Sequence, residues 1–377
     1  MRDYDVVIVG AGILGLAHAR AARERGLRVL VVERTGRPLG ASIRNFGMVW
    51  VIGQPPGRLL ERALRSRETW FRVAEQAGFW ISPCGSLHLA YHEDEAQVIR
   101  EFVEKPGAGY RCSVLSPAEV AQRCPAARQE GLILALGSET EAAVDPRQAI
   151  TSLAAWLASQ GVEFRWSQPV VGVESGLVRT SSGETIHARS VFICSGDELR
   201  ALFPDVLARA GLTRCKLQMM RTAAQPGWTL GTHIAGGLTL RHYKAFADCP
   251  TLPALRDRIA RENPEYDELG IHVLVSQNQR GELLMGDTHE YGDDVDPFDS
   301  ARAEQLIVRY LRRMIHAPSL DVESRWNGSY AKFPDGRTEL IESPMPGVWV
   351  VNGVGGAGMT LSFGLADDML ERVVGAR

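Results

Sequence analysis

Gly10, Gly12 and Gly15 form a G-x-G-x-x-G run between the β-branched residues 5–9 and the helix-favouring residues 16–25. The chemistry this spacing suits is capture of a diphosphate. Gly10 permits a tight turn, Gly12 lets phosphate approach the backbone, and Gly15 lets helix and strand pack closely. Ile13 and Leu14 open the helix, where free backbone N–H groups and the positive dipole end attract an anion. Gly26 can end that helix, residues 28–32 read as a second strand, and Glu33 closes it. An acid there accepts hydrogen bonds from adenosine ribose hydroxyls and repels a 2′-phosphate, which disfavours NADP. Arg34, next in the chain, is counted with the same contacts. The fingerprint by itself leaves FAD and NAD open.

A second glycine-rich bend near the C-terminus separates the two. Residues 348–352 read as a buried strand, followed by Gly353, Gly355, Gly356, Ala357, Gly358, Met359 and Thr360 at the start of a last helix. Two such helix starts call for two anionic partners, and a diphosphate accounts for only the first. Between them, residues 40–48 are small and polar, with Ser42, Arg44, Asn45, Gly47 and Met48. That stretch can wrap a pyrophosphate and then pass close to a flat ring.

These segments resemble the FAD-dependent D-amino-acid oxidase superfamily, which includes glycine oxidase and sarcosine oxidase, over essentially the whole chain. Two further stretches carry the likeness. One is residues 142–147 leading into an amphipathic helix over 148–160, where Asp145 and Pro146 suit a helix start. The other is Val170 and Val171, a hairpin signal at residues 181–183, and a strand over 191–197 ending in Ser195 and Gly196. The resemblance implies an α/β fold: a Rossmann-like FAD-binding domain and an α+β substrate domain with a mainly antiparallel sheet, the two-domain plan of glycine oxidase. The FAD domain is expected over residues 1–75, 140–215 and 325–377, and the substrate domain over 76–139 and 216–324. It also implies that Val170 and Val171 lie by the adenine and that the C-terminal bend aims N–H groups at the flavin N1–C2=O edge. An amine then gives its α-hydrogen as hydride to flavin N5 and the imine hydrolyses to an aldehyde, with no nucleophile or metal required.

The sequence departs from the amino-acid oxidases at residues 325–336. The family commonly has G-L-R-P here, its arginine gripping the substrate carboxylate as a bidentate pair. Tyr330 stands in that place, so the anion holder is sought in Lys332, in Arg241, His242 and Tyr243 on an expected strand continuing from residues 237–240, and in His289. Several cationic donors suit a tetrahedral phosphonate better than one planar fork does. Residues 276–290 resemble a subgroup associated with phosphonate breakdown, whose members are proposed to oxidise 2-aminoethylphosphonate or its N-methyl form. Sarcosine oxidases tether FAD through a cysteine aligning near Gly328, and no cysteine follows Cys249, so noncovalent FAD is expected. Their oxygen-activating lysine aligns with Leu284, which leaves O2 and other electron acceptors both open. A glycine- or sarcosine-type amino-acid oxidase and a flavin-binding subunit of a larger dehydrogenase are the alternatives.

The rest of the chain is consistent with a small-molecule enzyme. Its 377 residues are 45% hydrophobic with a formal net charge of −3, which offers no broad positive field for nucleic acid or an anionic membrane. Six cysteines without a C-x-x-C pair indicate neither a zinc knuckle nor a disulfide framework. With no export signal visible, a cytoplasmic location is expected; the oligomeric state is left open. Residues 80–92 and 217–246 read as strands and 93–105 and 252–263 as helices, while 253–266 and 293–299 also carry loop signals beside the site.

Overall fold

The computed structural model describes residues 3–105 and 109–375. Its first sheet is built on Tyr4–Val9, flanked in parallel by Val29–Val32 and Thr185–Ile193. Glu163–Arg165 adds in parallel beyond Val29–Val32, Val348–Asn352 adds in parallel to the end of Thr185–Ile193, and Leu340–Met345 closes that edge antiparallel. The β-branched runs at residues 6–9 and Val29–Val32 are buried on both faces, which is why they show no polar alternation. Val6 and Ile8 face helices Ile13–Glu24, Pro146–Ser159 and Gly358–Val374, whereas Val7 and Val9 pack with Leu30, Val191 and Val350 on the other side. The hairpin read at residues 181–183 joins Leu177–Thr180 to Thr185–Ile193.

A nine-stranded, mainly antiparallel sheet forms the second layer. Thr213–Ala224 is its spine, pairing along its length with Val322–Lys332 and on the other side with Glu282–Gly286 and Glu290–Gly292. Leu274–Gln277, His233–Ala235, Ser86–Ala90, Leu134–Ser138 and Cys112–Leu115 extend it outward. Tyr330 faces Cys215 across the spine pair. The seam expected at residue 325 falls inside the Val322–Lys332 strand, because its pairing partner belongs to the second sheet. A small sheet of Met48–Val49, Ala142–Val144 and Ile81–Ser82 lies where the chain crosses between the two layers.

Local chemistry sets the joints. The Asp145 side chain accepts from the N–H groups of Arg147 and Gln148, and Pro146 fills the first helical position, so the helix starts as read. The expected strand over 237–240 is instead the short helix Gly237–Leu240, ending at Arg241. Four residues, Gly237, Leu238, Thr239 and Leu240, are too few to separate the two periods, and here Thr239 donates through its hydroxyl to Val273 O at 3.2 Å, holding the turn against the sheet. Residues 253–266 are likewise largely helical, as Leu252–Glu262 and Pro264–Glu268. No helix among the described residues is long and apolar enough to cross a membrane.

Candidate active site

The two glycine-rich bends open onto one cavity of about 850 Å³. Gly12, Ile13 and Leu14 line one part of it, and Gly355, Gly356, Ala357, Gly358, Met359 and Thr360 line another. Neither the Ile13–Glu24 helix nor the Gly358–Val374 helix has a capping bond from its N-cap residue, and neither has an acid in its first turn. Both positive ends are therefore available to an external anion. The glycine geometry bears this out. Gly10 has φ +106°, and a side chain there would strike Cys194 O; one at Gly15 would strike Gly10 O. At Gly12 the nearest obstacle to a Cβ is Ser42 Oγ, 3.1 Å away, a tight contact with one side chain rather than with backbone. Ser42 Oγ accepts from Ile13 N at 2.9 Å and holds a polar hydroxyl at the same helix end. The residues present thus fit an extended dinucleotide: phosphates at the first bend, and a ring whose negative edge meets the last helix.

The polar stretch after the second strand wraps this slot. Asn45 donates to Ala41 O and Ser42 O and accepts from Gly47 N, while Arg44 donates to Asn327 O at 3.1 Å. Gly328 lines the cavity opposite, with Arg44 Cβ 3.2 Å from where its own Cβ would stand. Thr360 Oγ1 accepts from Trp50 N at 2.9 Å, fixing the last helix to the segment that follows Met48. Asn352 joins the remaining loops, donating to Gly196 O at 2.9 Å and accepting from Gly353 N at 2.8 Å.

Some expected contacts stand back from the cavity. Glu33 accepts from Ala11 N at 2.8 Å and from both donors of Thr35, so it braces the first bend from behind. Arg34 pairs with Asp197 and Glu198, and Ser195 donates to Glu198 O. Gly47 is hemmed in by Val144 O, at φ +72°. Val170 and Val171 do not line the cavity, and Val171 is 61% exposed; the chain approaches Glu33 at Gln168, whose N–H donates to Glu33 O.

The far part of the cavity collects Met48, Tyr243, Tyr330, Lys332, Arg241 and His289, which the sequence singled out. Their charges are not equivalent. Arg241 is already bound to Asp267 and donates to Ile271 O at 3.2 Å, so it is not a free anion holder. Lys332 makes no ion pair among the described residues; its ammonium donates to Tyr291 Oη at 2.8 Å and lies over that ring. Burial pulls the Lys332 pKa below the ordinary lysine value and pushes that of Tyr330 well above the ordinary tyrosine value, so the phenol stays a donor. Gly356 is close to it: a Cβ there would sit 3.2 Å from Tyr330 Oη.

Sequence reasoning missed His272, Asp287, Tyr291 and Trp50, all on the cavity wall. His272 stacks on His242 with ring centroids 3.8 Å apart, and His289 lies 4.6 and 4.8 Å from these two. His272 Nε2 is 3.1 Å from Asp287 Oδ1. Burial lowers the pKa of His272 well below, and raises that of Asp287 well above, their ordinary values, so the contact is neutral rather than an ion pair. Burial also takes His289 down to about 3. Neutral imidazoles and one ammonium make a site rich in N–H donors. The only sequence signal for His272 was a histidine beside an apolar run.

A model of the DAO family, FAD dependent oxidoreductases, matches residues 5–372, and the chain belongs to that family. It carries the glycine oxidase-like fold with its FAD-binding architecture: glycine oxidase from Geobacillus kaustophilus superposes with a TM-score of 0.77 over 98% of this chain and 94% of that one, at 22% identity. L-proline dehydrogenase from P. horikoshii superposes with a TM-score of 0.79 over 99% and 93%, at 20% identity. By sequence, glycine oxidase of Geobacillus kaustophilus (strain HTA426) is 24% identical over 90% of this chain and 85% of its own. An opine oxidase subunit of Rhizobium meliloti is 24% identical over 59% of this chain, and the match spans 64% of that protein.

Proposed function

We propose that the protein oxidises a small amine with an anionic far end, an aminophosphonate such as 2-aminoethylphosphonate or its N-methyl form. The observation that carries this reading is Lys332: an ammonium on the cavity wall without a carboxylate partner among the described residues, two positions from Tyr330, while Arg241 is occupied by Asp267. Bound FAD, held noncovalently, supplies the two-electron acceptor for the substrate's α-hydrogen. The chain's own residues bind and orient. Lys332 holds the anionic end; the Tyr330 hydroxyl, next to Gly356, offers a donor beside the last bend. Met48 and Tyr243 form an apolar wall that excludes water until the imine departs. Imine and water then yield phosphonoacetaldehyde and ammonia or methylamine. O2 or another electron acceptor then takes the two electrons and closes the cycle.

Anaerobic mixing tests it: the flavin band near about 450 nm bleaches with 2-aminoethylphosphonate or its N-methyl form and not with glycine, and the reverse order rejects it. The similarity to a component of opine oxidase supports a second reading, a flavin-bearing subunit of a larger assembly. Multiple turnovers of an amine by the purified chain alone would set that aside.

A further inference from the structure

The three histidines at the far end come from separate segments. His242 follows the Gly237–Leu240 helix, His272 precedes the Leu274–Gln277 strand, and His289 precedes Glu290–Gly292. One ring nitrogen of each lies within 4.8 Å of the others. An outer contact fixes which nitrogen of His289 is free. His289 Nδ1 lies 2.9 Å from Gly270 O, to which it must donate, and this leaves Nε2 as the lone-pair nitrogen. His272 Nε2 lies 3.1 Å from Asp287 Oδ1 without hydrogen-bonding geometry, and His272 Nδ1 and Asp287 Oδ1 are both buried atoms with no hydrogen-bond partner among the described residues. A buried acceptor without a donor calls for an explanation. An aromatic stack in a core would give none, whereas a histidine donating to a carbonyl and another with a carboxyl group close behind it are groupings that the outer shell of a metal site uses.

We propose that His242, His272 and His289 bind one first-row divalent cation, zinc(II) being the reference ion, with an open coordination position towards the cavity. Three imidazoles and an open position form a ligand set that zinc accepts. Coordination at about 2.1 Å draws the nitrogens together and requires the His242 and His272 rings, stacked at 3.8 Å and 25°, to turn out of that stack so that both planes meet at the ion. Asp287 supplies a carboxyl behind His272, while Lys332 and the Asp267-paired Arg241 are the positive neighbours. Resting on the proposed function, the open position would take one oxygen of the substrate's anionic end while Lys332 takes another.

The test uses the FAD-loaded enzyme in the absence of any amine. The protein is stripped with a chelator, exposed to zinc chloride, desalted and assayed for metal by mass spectrometry, with affinity from calorimetry. The wild type is expected to retain about one zinc per chain, and His272→Ala and His289→Ala to weaken binding by more than about tenfold with flavin absorbance unchanged. Asp287→Asn, which keeps all three ligands, should weaken it less. Wild type retaining no more zinc than the His272→Ala, His289→Ala double variant overturns the proposal. X-ray absorption of the cobalt-loaded wild type needs no variant: imidazole scattering is expected, and a shell of water oxygens alone overturns it. Zinc uptake without oxidation of 2-aminoethylphosphonate would sink the substrate reading and leave the cation site standing; oxidation without uptake would do the converse.

Discussion

Replacing Lys332 by methionine removes the charge and keeps most of the stem, and its consequences separate binding from stability. A hydrogen bond from a charged donor is worth about 1.5–3 kcal/mol when its partner is left behind. Applied to the Lys332 ammonium, that is a loss of about 10- to 150-fold in kcat/KM for an aminophosphonate. The loss should fall mainly on KM, because the far end is held alike in ground and transition states. An amine of similar size without the anionic group should lose almost nothing. Burial already depresses the Lys332 pKa, which means the ammonium costs the fold something, so the variant should melt no lower than wild type. The same shift sets a pH dependence: the charge is lost as pH rises through a value below the ordinary lysine pKa, and KM for the anion should climb there. Steady-state kinetics on both amines, with a melting curve, decides the matter. A change under about threefold, or equal losses for both amines, would refute the role given to Lys332.

Three other perturbations have distinct signatures. Arg241→Gln should lower stability by about 1–2 kcal/mol, since the guanidinium braces Asp267 and Ile271 O, while leaving KM for the anionic amine within about threefold; a KM effect as large as that of Lys332→Met would return Arg241 to the substrate. Gly15→Ala should fail to fold or melt far lower because its methyl meets Gly10 O, whereas Gly12→Ala should fold and lose FAD affinity, its methyl entering the slot beside Ser42; equal melting loss in both would contradict the division. His18 is fully buried, with Nδ1 2.7 Å from Leu14 O, and burial lowers its pKa from 6.5 to about 4. The unfolded chain takes up that proton first, so as pH falls from 6.5 towards 4 this residue costs up to about 3 kcal/mol of stability, and His18→Leu should flatten the loss; parallel melting profiles in acid would reject it.

What the sequence disclosed follows from which interactions are local. The glycine spacing and the Asp145–Pro146 helix start act within a few residues of themselves and were legible, whereas Glu33, read as a ribose contact, accepts from Ala11 N, 22 residues away. The run over 237–240 was misread because a four-residue stretch satisfies either period, and the decision is made by a distant carbonyl, Val273 O. Arg241 looked like a free cation since Asp267, which occupies it, lies on another helix. His272 and Asp287 went unmarked for the same reason: the histidine cluster exists only after the second sheet aligns the 242, 272 and 289 segments, and no spacing along the chain announces it. The departure at Tyr330 was visible in sequence, but its proximity to Gly356 was not.

Central to the proposed chemistry is one FAD lying noncovalently between the first glycine bend and the last helix. Acid precipitation of the purified yellow protein, followed by mass spectrometry of the supernatant, measures this directly. About one FAD per chain released into solution, with a colourless pellet, is the predicted result. Colour retained by the precipitated chain, or a protein that stays colourless when FAD is supplied, would contradict it.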